Sequence, residues 1–180
     1  PLFLGNEGTM EWFLSEVCPQ SWNEAQDAGR TIAEAEAEAL ARHPDQHDRI
    51  LAYYQGFDIM MHGALADTVA LLERLDAAGV PLYALTNFSA ETFPRAQRRF
   101  DFLARFRGIV VSGQEKIIKP DPRLYQILLD RYGLDPQRCL YIDDVPRNLP
   151  PAQALGIHTI LFTGAEALEQ QLTALLPGSW

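Results

Sequence analysis

The chain has 180 residues, 47% of them hydrophobic, and a formal net charge of -9. That length holds one domain, or one domain with a small insertion, and the apolar share is enough for a sizeable core. The acidic balance argues against a nucleic-acid partner, and no apolar run approaches the roughly 20 residues of a membrane span.

Up to about residue 62 the pattern is helical. Met10, Phe13, Leu14 and Val17 fall on one helical face. Thr31 and Glu34 have the spacing of a capping box that opens a helix before Pro44. A third helix is expected through Ile50, Tyr53, Tyr54, Phe57 and Met61, and no strand is expected before residue 63. Trp12, Tyr53, Tyr54 and Phe57 read as core of this region. Trp22, Asn23, Gln26, Asp27 and Arg30 read as a polar and aromatic cluster between helices.

From residue 63 on, helix and strand alternate. Leu65, Val69, Leu72 and Leu75 line a helix that stops at Gly79, and Pro81 to Leu85 is a short apolar strand. Residues 90–104 read as helix, 108–111 as strand, and 120–133 as a helix ending in glycine. Strands follow at 139–142 and 158–162, and residues 164–176 form a closing helix. This alternation predicts an α/β fold, a parallel Rossmann-like sheet with helices on both faces, next to an all-helical region. The domains expected are 1–62 and 63–180.

Ligands of open parallel sheets bind at the carboxyl ends of the strands. The first predicted strand is followed by Thr86-Asn87-Phe88-Ser89, and the second by Ser112-Gly113, with Lys116 and Lys119 a few residues on. The third ends in Asp143-Asp144. Hydroxyls and backbone N–H groups suit phosphate oxygens, and a lysine offsets their charge. Adjacent carboxylates repel one another unless a cation joins them, and Mg²⁺ needs few protein ligands. Capping of a following helix is the alternative reading of the acidic pair, and the repulsion between the two carboxylates favours a cation. Cys18 and Cys139 fit no metal spacing, and neither do His43, His47, His62 and His158.

LTNFS, IIKPDP and YIDDVPRN, in that order and each after a predicted strand, resemble the second, third and fourth motifs of the haloacid dehalogenase superfamily. The helical first third resembles that family's cap. The resemblance implies a phosphate-binding hydroxyl at Thr86 with Asn87 beside it, and a phosphoryl-steadying lysine at Lys119. It further implies Mg²⁺ held by Asp143 and Asp144, directly or through water, and loop support from Asn148. Ser112, Gly113 and Arg30 are candidate substrate contacts, and a surface salt bridge at a helix entry is the equal alternative for Arg30. The activity implied is hydrolysis of a small phosphomonoester, such as a sugar phosphate, through an aspartyl-phosphate. A cytoplasmic monomer or homodimer is expected, with neither nucleic acid nor membrane as partner.

One departure stands out. The family's first motif, D-x-D, supplies the nucleophile and the general acid and base. No two aspartates of this sequence stand two positions apart. The motif is expected upstream of Pro1, on a strand between those ending at Thr86 and Asp143, so the chain by itself is expected to be inactive. The rival readings are a non-catalytic protein that keeps the phosphate pocket, a truncated pseudoenzyme and, disfavoured by the Asp-Asp pair, a 2-haloacid dehalogenase.

Overall fold

The computed structural model describes residues 7–175. The first part is helical: α1 (Glu7–Trp12), running on into a wider π-type turn at Phe13–Val17, then α2 (Gln20–Asp27), α3 (Ile32–Arg42), α4 (His47–Gln55) and α5 (Phe57–Met60). Alternation then begins with α6 (Ala66–Ala77), β1 (Tyr83–Thr86), α7 (Phe93–Arg99), β2 (Gly108–Val111) and α8 (Ser112–Glu115). The chain continues through α9 (Pro122–Tyr132), β3 (Leu140–Asp143), α10 (Leu149–Ala154), β4 (His158–Leu161) and α11 (Ala165–Leu175). Among the described residues no strand precedes residue 63. Leu176, placed by periodicity in the closing helix, lies outside the described residues.

Local chemistry explains most of the boundaries. Thr31 caps α3: its hydroxyl accepts the N–H of Glu34 at 3.2 Å, and the Glu34 carboxylate accepts the N–H of Thr31 at 2.9 Å. The single helix expected through Met61 is broken at Gly56, a poor helix former, into α4 and α5. The helix expected over 90–104 also divides. Phe100 is extended and separates α7 from a 3₁₀ turn at Asp101–Arg105. The rings of Phe100 and Phe102 stand 5.7 Å apart, and residues two apart do not meet on a helix. Pro94 lies in the first turn of α7, where its missing N–H costs nothing. Pro81 stays outside β1, since it has no N–H for a ladder.

The strands form two pairs, β1 with β2 and β3 with β4. The second is parallel, in register from Leu140 opposite His158 to Asp143 opposite Leu161. Such pairing needs a crossover, and α10 lies in it. The proline-rich run LPPAQA carries no helical periodicity, but Pro150 and Pro151 fit because they occupy the first turn of this helix.

The chain divides into two compact units. The first comprises residues 1–62, 87–96 and 111–117, and the second residues 63–86, 97–110 and 118–180. The break near residue 63 coincides with the change of sequence pattern, whereas the loops after β1 and β2 group with the helical part. The first unit packs around Phe13, Val17, Trp22, Ile50 and Tyr54, with Ala35 and Ala39 giving α3 a close-packing face. Trp12, expected in this core, is 42% exposed and meets the edge of His43. In the second unit Leu71, Leu75, Ile160, Leu168 and Leu172 form one cluster. Tyr125, Leu129, Ala152 and Ile157 form another. Gly108 opens β2 beneath the ring of Tyr132, and a Cβ there would fall 2.1 Å from that ring. Among the described residues no helix is long and apolar enough to cross a membrane.

Candidate active site

The second unit gathers the acidic pair and a lysine at the end of β3. Side chains alternate between the two faces of a strand, so Tyr141 and Asp143, two residues apart, share one face. Asp143 is 7% exposed. Its Oδ2 accepts Lys119 Nζ at 2.7 Å and also the hydroxyl of Tyr141. Its Oδ1 accepts the N–H of Val145 at 2.8 Å and Asn148 Nδ2 at 2.9 Å. Burial alone would raise the carboxyl's proton affinity. The bonds from Lys119, Tyr141, Val145 and Asn148 outweigh it, so the pKa is lowered and the group stays ionised. For Tyr141, burial and then its bond to that carboxylate push the phenol far above its usual range. Lys119 Nζ also lies 5.9 Å from the centroid of the Tyr141 ring.

Asn148 is anchored by its backbone, whose carbonyl accepts the hydroxyl of Tyr125 at 2.7 Å. Burial raises the Tyr125 phenol to about 12. Asp144, the other carboxylate, is exposed. Lys119 precedes Pro120 through a cis peptide bond. Asp121 then caps α9, accepting the N–H of Arg123 at 2.9 Å. Thr86 ends β1 and is partly buried.

The other candidate residues belong to the first unit. Ser112 is completely buried. Its hydroxyl accepts the N–H of Phe88 at 2.9 Å and donates to the carbonyl of Asp27 at 2.6 Å. Gly113 donates its N–H to the Phe88 carbonyl at 3.1 Å. A Cβ on Gly113 would sit 2.5 Å from the Ala90 nitrogen, so only glycine permits this approach. Ser112 and Gly113 thus hold the loop that begins at Asn87. Arg30 is likewise engaged within the protein. Its Nε donates to Gln26 Oε1 at 2.9 Å, Nη2 donates to the Trp22 carbonyl at 2.8 Å, and Nη1 pairs with Glu38. These bonds make it a brace between α2 and α3. Of the cluster expected between helices, Trp22, Asn23, Gln26 and Asp27 lie on α2 and Arg30 just beyond its end; Gln26 donates to the Tyr54 hydroxyl of α4 at 2.7 Å and Trp22 Nε1 to the Ala35 carbonyl of α3 at 3.1 Å.

The structure therefore unites Lys119, Asp143 and Asn148: Lys119 bonds to Asp143, while Lys116 lies in the first unit in a left-handed conformation. Sequence reasoning missed Tyr141 and Tyr125. Tyr141 looked like one more apolar residue of a buried strand, and only its i, i+2 relation to Asp143 signalled the bond.

The donor set suits a hard divalent cation. It offers two adjacent carboxylates, one of them exposed, and no soft ligand. The buried Oδ1 of Asn148, beside Asp143, has no hydrogen-bond partner, and a cation's coordinated water would supply one. Among the described residues there is no group of three or more His, Cys, Asp or Glu side chains placed to hold a metal. The residues present would thus supply only part of a coordination sphere, as is usual for Mg²⁺.

An alternating α/β chain with a helical first part, whose strand β3 ends in a carboxylate bonded to a lysine, has the architecture of an α/β fold with a helical cap. The chain belongs to the haloacid dehalogenase-like hydrolases, whose family model matches residues 5–156. It is 37% identical over 110 residues to the acyl-CoA dehydrogenase family member 10 of Mus musculus, covering 58% of this chain and 10% of that protein. It is 31% identical over 97 residues to hexitol phosphatase A of Escherichia coli (strain K12), covering 54% and 44%. Against the (S)-2-haloacid dehalogenase 4A of Burkholderia cepacia the identity is 27% over 113 residues, covering 63% and 47%. In each case the chain spans less than half of the relative's own length. A magnesium complex of a haloacid dehalogenase-family enzyme from Bacteroides thetaiotaomicron shares the fold, with a TM-score of 0.72 at 21% identity over 94% of this chain and 91% of that one.

Proposed function

We propose that this chain carries the lysine, acidic pair and phosphate-loop threonine of a magnesium-dependent hydrolase of small phosphomonoesters. The observation that carries this reading is the buried bond between Lys119 and Asp143, with Asp144 exposed beside it. Asp143 fixes the direction of the lysine ammonium, and an ammonium so placed is the kind of group that offsets the charge of phosphoryl oxygens. Thr86, at the end of β1, would offer its hydroxyl to the same class of oxygen, with Asn87 as its neighbour in the loop. Asp143 and Asp144 would hold Mg²⁺, which when bound neutralises phosphoryl oxygens. Asn148 keeps Asp143 in place. The attacking carboxylate, the first aspartate of D-x-D, is not among these residues, and we assign it to a segment of the complete protein outside them. The hexitol phosphatase relative supports the phosphomonoester class, and the magnesium-bound fold neighbour supports the cation.

The Burkholderia relative favours a second reading, haloacid dehalogenation. The adjacent Asp143 and Asp144 weigh against it, since that chemistry uses no metal. The test is release of phosphate from a panel of sugar and polyol phosphates by the complete protein, with and without Mg²⁺, beside halide release from 2-haloacids. Magnesium-dependent phosphate release that is lost in Asp144→Asn supports the proposal. Halide release alone, or phosphate release indifferent to chelation, overturns it. Binding of phosphate without turnover would identify a non-catalytic protein.

A further inference from the structure

Two donors meet on one oxygen at the end of β3. Asp143 Oδ2 accepts Lys119 Nζ at 2.7 Å and the Tyr141 hydroxyl as well. A carboxylate oxygen offers about two lone-pair directions, so these donors fill it. They differ in how tightly they are held. Lysine ends in a compact charge on a flexible stem, and by itself it could take either direction. The phenol has no such choice. Its ring packs edge to face against Tyr125, with the centroids 5.4 Å apart. Tyr125 is 1% exposed and donates its hydroxyl to the Asn148 carbonyl at 2.7 Å. Lys119 Nζ also stands 5.9 Å from the Tyr141 ring centroid, a distance at which a ring face attracts a cation. One side chain thus acts on the lysine twice, through the oxygen they share and through its ring.

We propose that Tyr141 is a positioning residue for Lys119: its hydroxyl occupies one side of Asp143 Oδ2 and leaves the ammonium a single direction. All of these groups belong to the second unit. The role is indirect, exerted through the lysine. A purely structural donor would steady Asp143 without restraining its neighbour on the same oxygen. The restraint matters for rate, because a group misplaced by about 1 Å can cost a factor of about 100. Phenylalanine at 141 would fill the same space, keep the ring beside the ammonium and vacate only the second lone pair. Lys119 would then be shared between two directions, still charged and still bonded to Asp143. The effect on turnover rests on the phosphomonoester reading above, whereas the restraint on the lysine does not.

The experiment is a double-mutant cycle on the complete protein, with Tyr141→Phe made alone and in a Lys119→Ala background. Release of phosphate from p-nitrophenyl phosphate in the presence of Mg²⁺ gives kcat and KM. Tyr141→Phe alone should lower kcat about tenfold with KM nearly unchanged, since the ammonium stays but is less well aimed. Once the lysine is gone there is nothing left to aim, so the same substitution should change kcat less than about twofold. Beside the kinetics, ¹³C and ¹⁵N relaxation of the Lys119 side chain, assigned by its loss in Lys119→Ala, gives an order parameter that needs no substrate. It should fall in Tyr141→Phe. Wild-type kcat in Tyr141→Phe, or an equal loss in both backgrounds, overturns the proposal, because the hydroxyl would then serve Asp143 or the fold alone. An unchanged order parameter overturns it whatever the kinetics. If the complete protein hydrolyses no phosphomonoester, the phosphatase reading falls and the order parameter alone decides the role of Tyr141.

Discussion

Lys119 Nζ lies 2.7 Å from Asp143 Oδ2, with the two side chains 11% and 5% exposed. Breaking such a buried pair from one side costs about 3–5 kcal/mol when the remaining charge is abandoned. Asp143 is not abandoned, because Tyr141, Val145 and Asn148 still donate to it. Lys119→Ala should therefore stay folded with a lowered melting temperature. Turnover of the complete protein should drop about 100-fold or more, the scale of losing one preorganised donor. Circular dichroism and steady-state kinetics check both halves, and full activity would move the functional role away from this lysine.

The lowered pKa of Asp143 has a defined signature. A carboxyl whose proton affinity is depressed on folding contributes stability above its unfolded value, near 3.9, and that contribution is lost as pH falls through the lower folded value. Acid melts between pH 7 and 2 should show this loss in the wild type and a shallower slope in Asp143→Asn. Mg²⁺ affinity, measured by calorimetry, should be weaker in the same variant. Equal acid slopes would mean that the bonds around Asp143 do not hold its charge in solution.

Tyr141→Phe separates the hydroxyl from the ring. The ring would keep its place, 5.4 Å from Tyr125 and near the Lys119 ammonium, while Asp143 would lose one of the two donors on Oδ2. The cost should be about 1.5–3 kcal/mol, the worth of a hydrogen bond to a charged group. Denaturant midpoints measure it, and a change below about 0.5 kcal/mol would make the contact incidental.

Much of the polar centre was legible in the sequence, because the chemistry of α/β sheets collects where strands end. Thr86, Ser112 and Asp143 each stand where a short apolar run gives way to polar residues, and that position alone singles them out. The Thr31–Glu34 cap was legible for a related reason: both partners lie within one turn. What escaped were relations that depend on which face a residue takes or on what packs from far away. Ser112 follows a strand as a ligand-binding serine would, yet its bonds go to Phe88 and Asp27, the latter 85 positions away. The company of Trp22 and Gln26 around Arg30 was legible from their spacing, whereas its pairing with Glu38 depends on how α3 packs.

Two substitutions probe that first-unit anchor. Ser112→Ala leaves the buried Phe88 N–H without an acceptor and should cost about 1–3 kcal/mol. Gly113→Ala should cost more, since backbone atoms rather than a flexible side chain stand in the way of its Cβ. Thermal melts of the two variants rank them, and a milder effect in Gly113→Ala would show that the loop yields easily.

The ring of Tyr132 occupies the volume that a side chain on Gly108 would fill. The first residue of β2 is therefore furnished by a neighbouring helix, and neither position is free to vary alone. Across an alignment, 108 and 132 should covary: an aromatic at one demands glycine at the other, and a bulky residue at 108 demands a small partner at 132. In the laboratory the same linkage should appear as rescue. Gly108→Ala should destabilise the wild type but do much less harm in a Tyr132→Ala background, where the intruding methyl meets space instead of a ring.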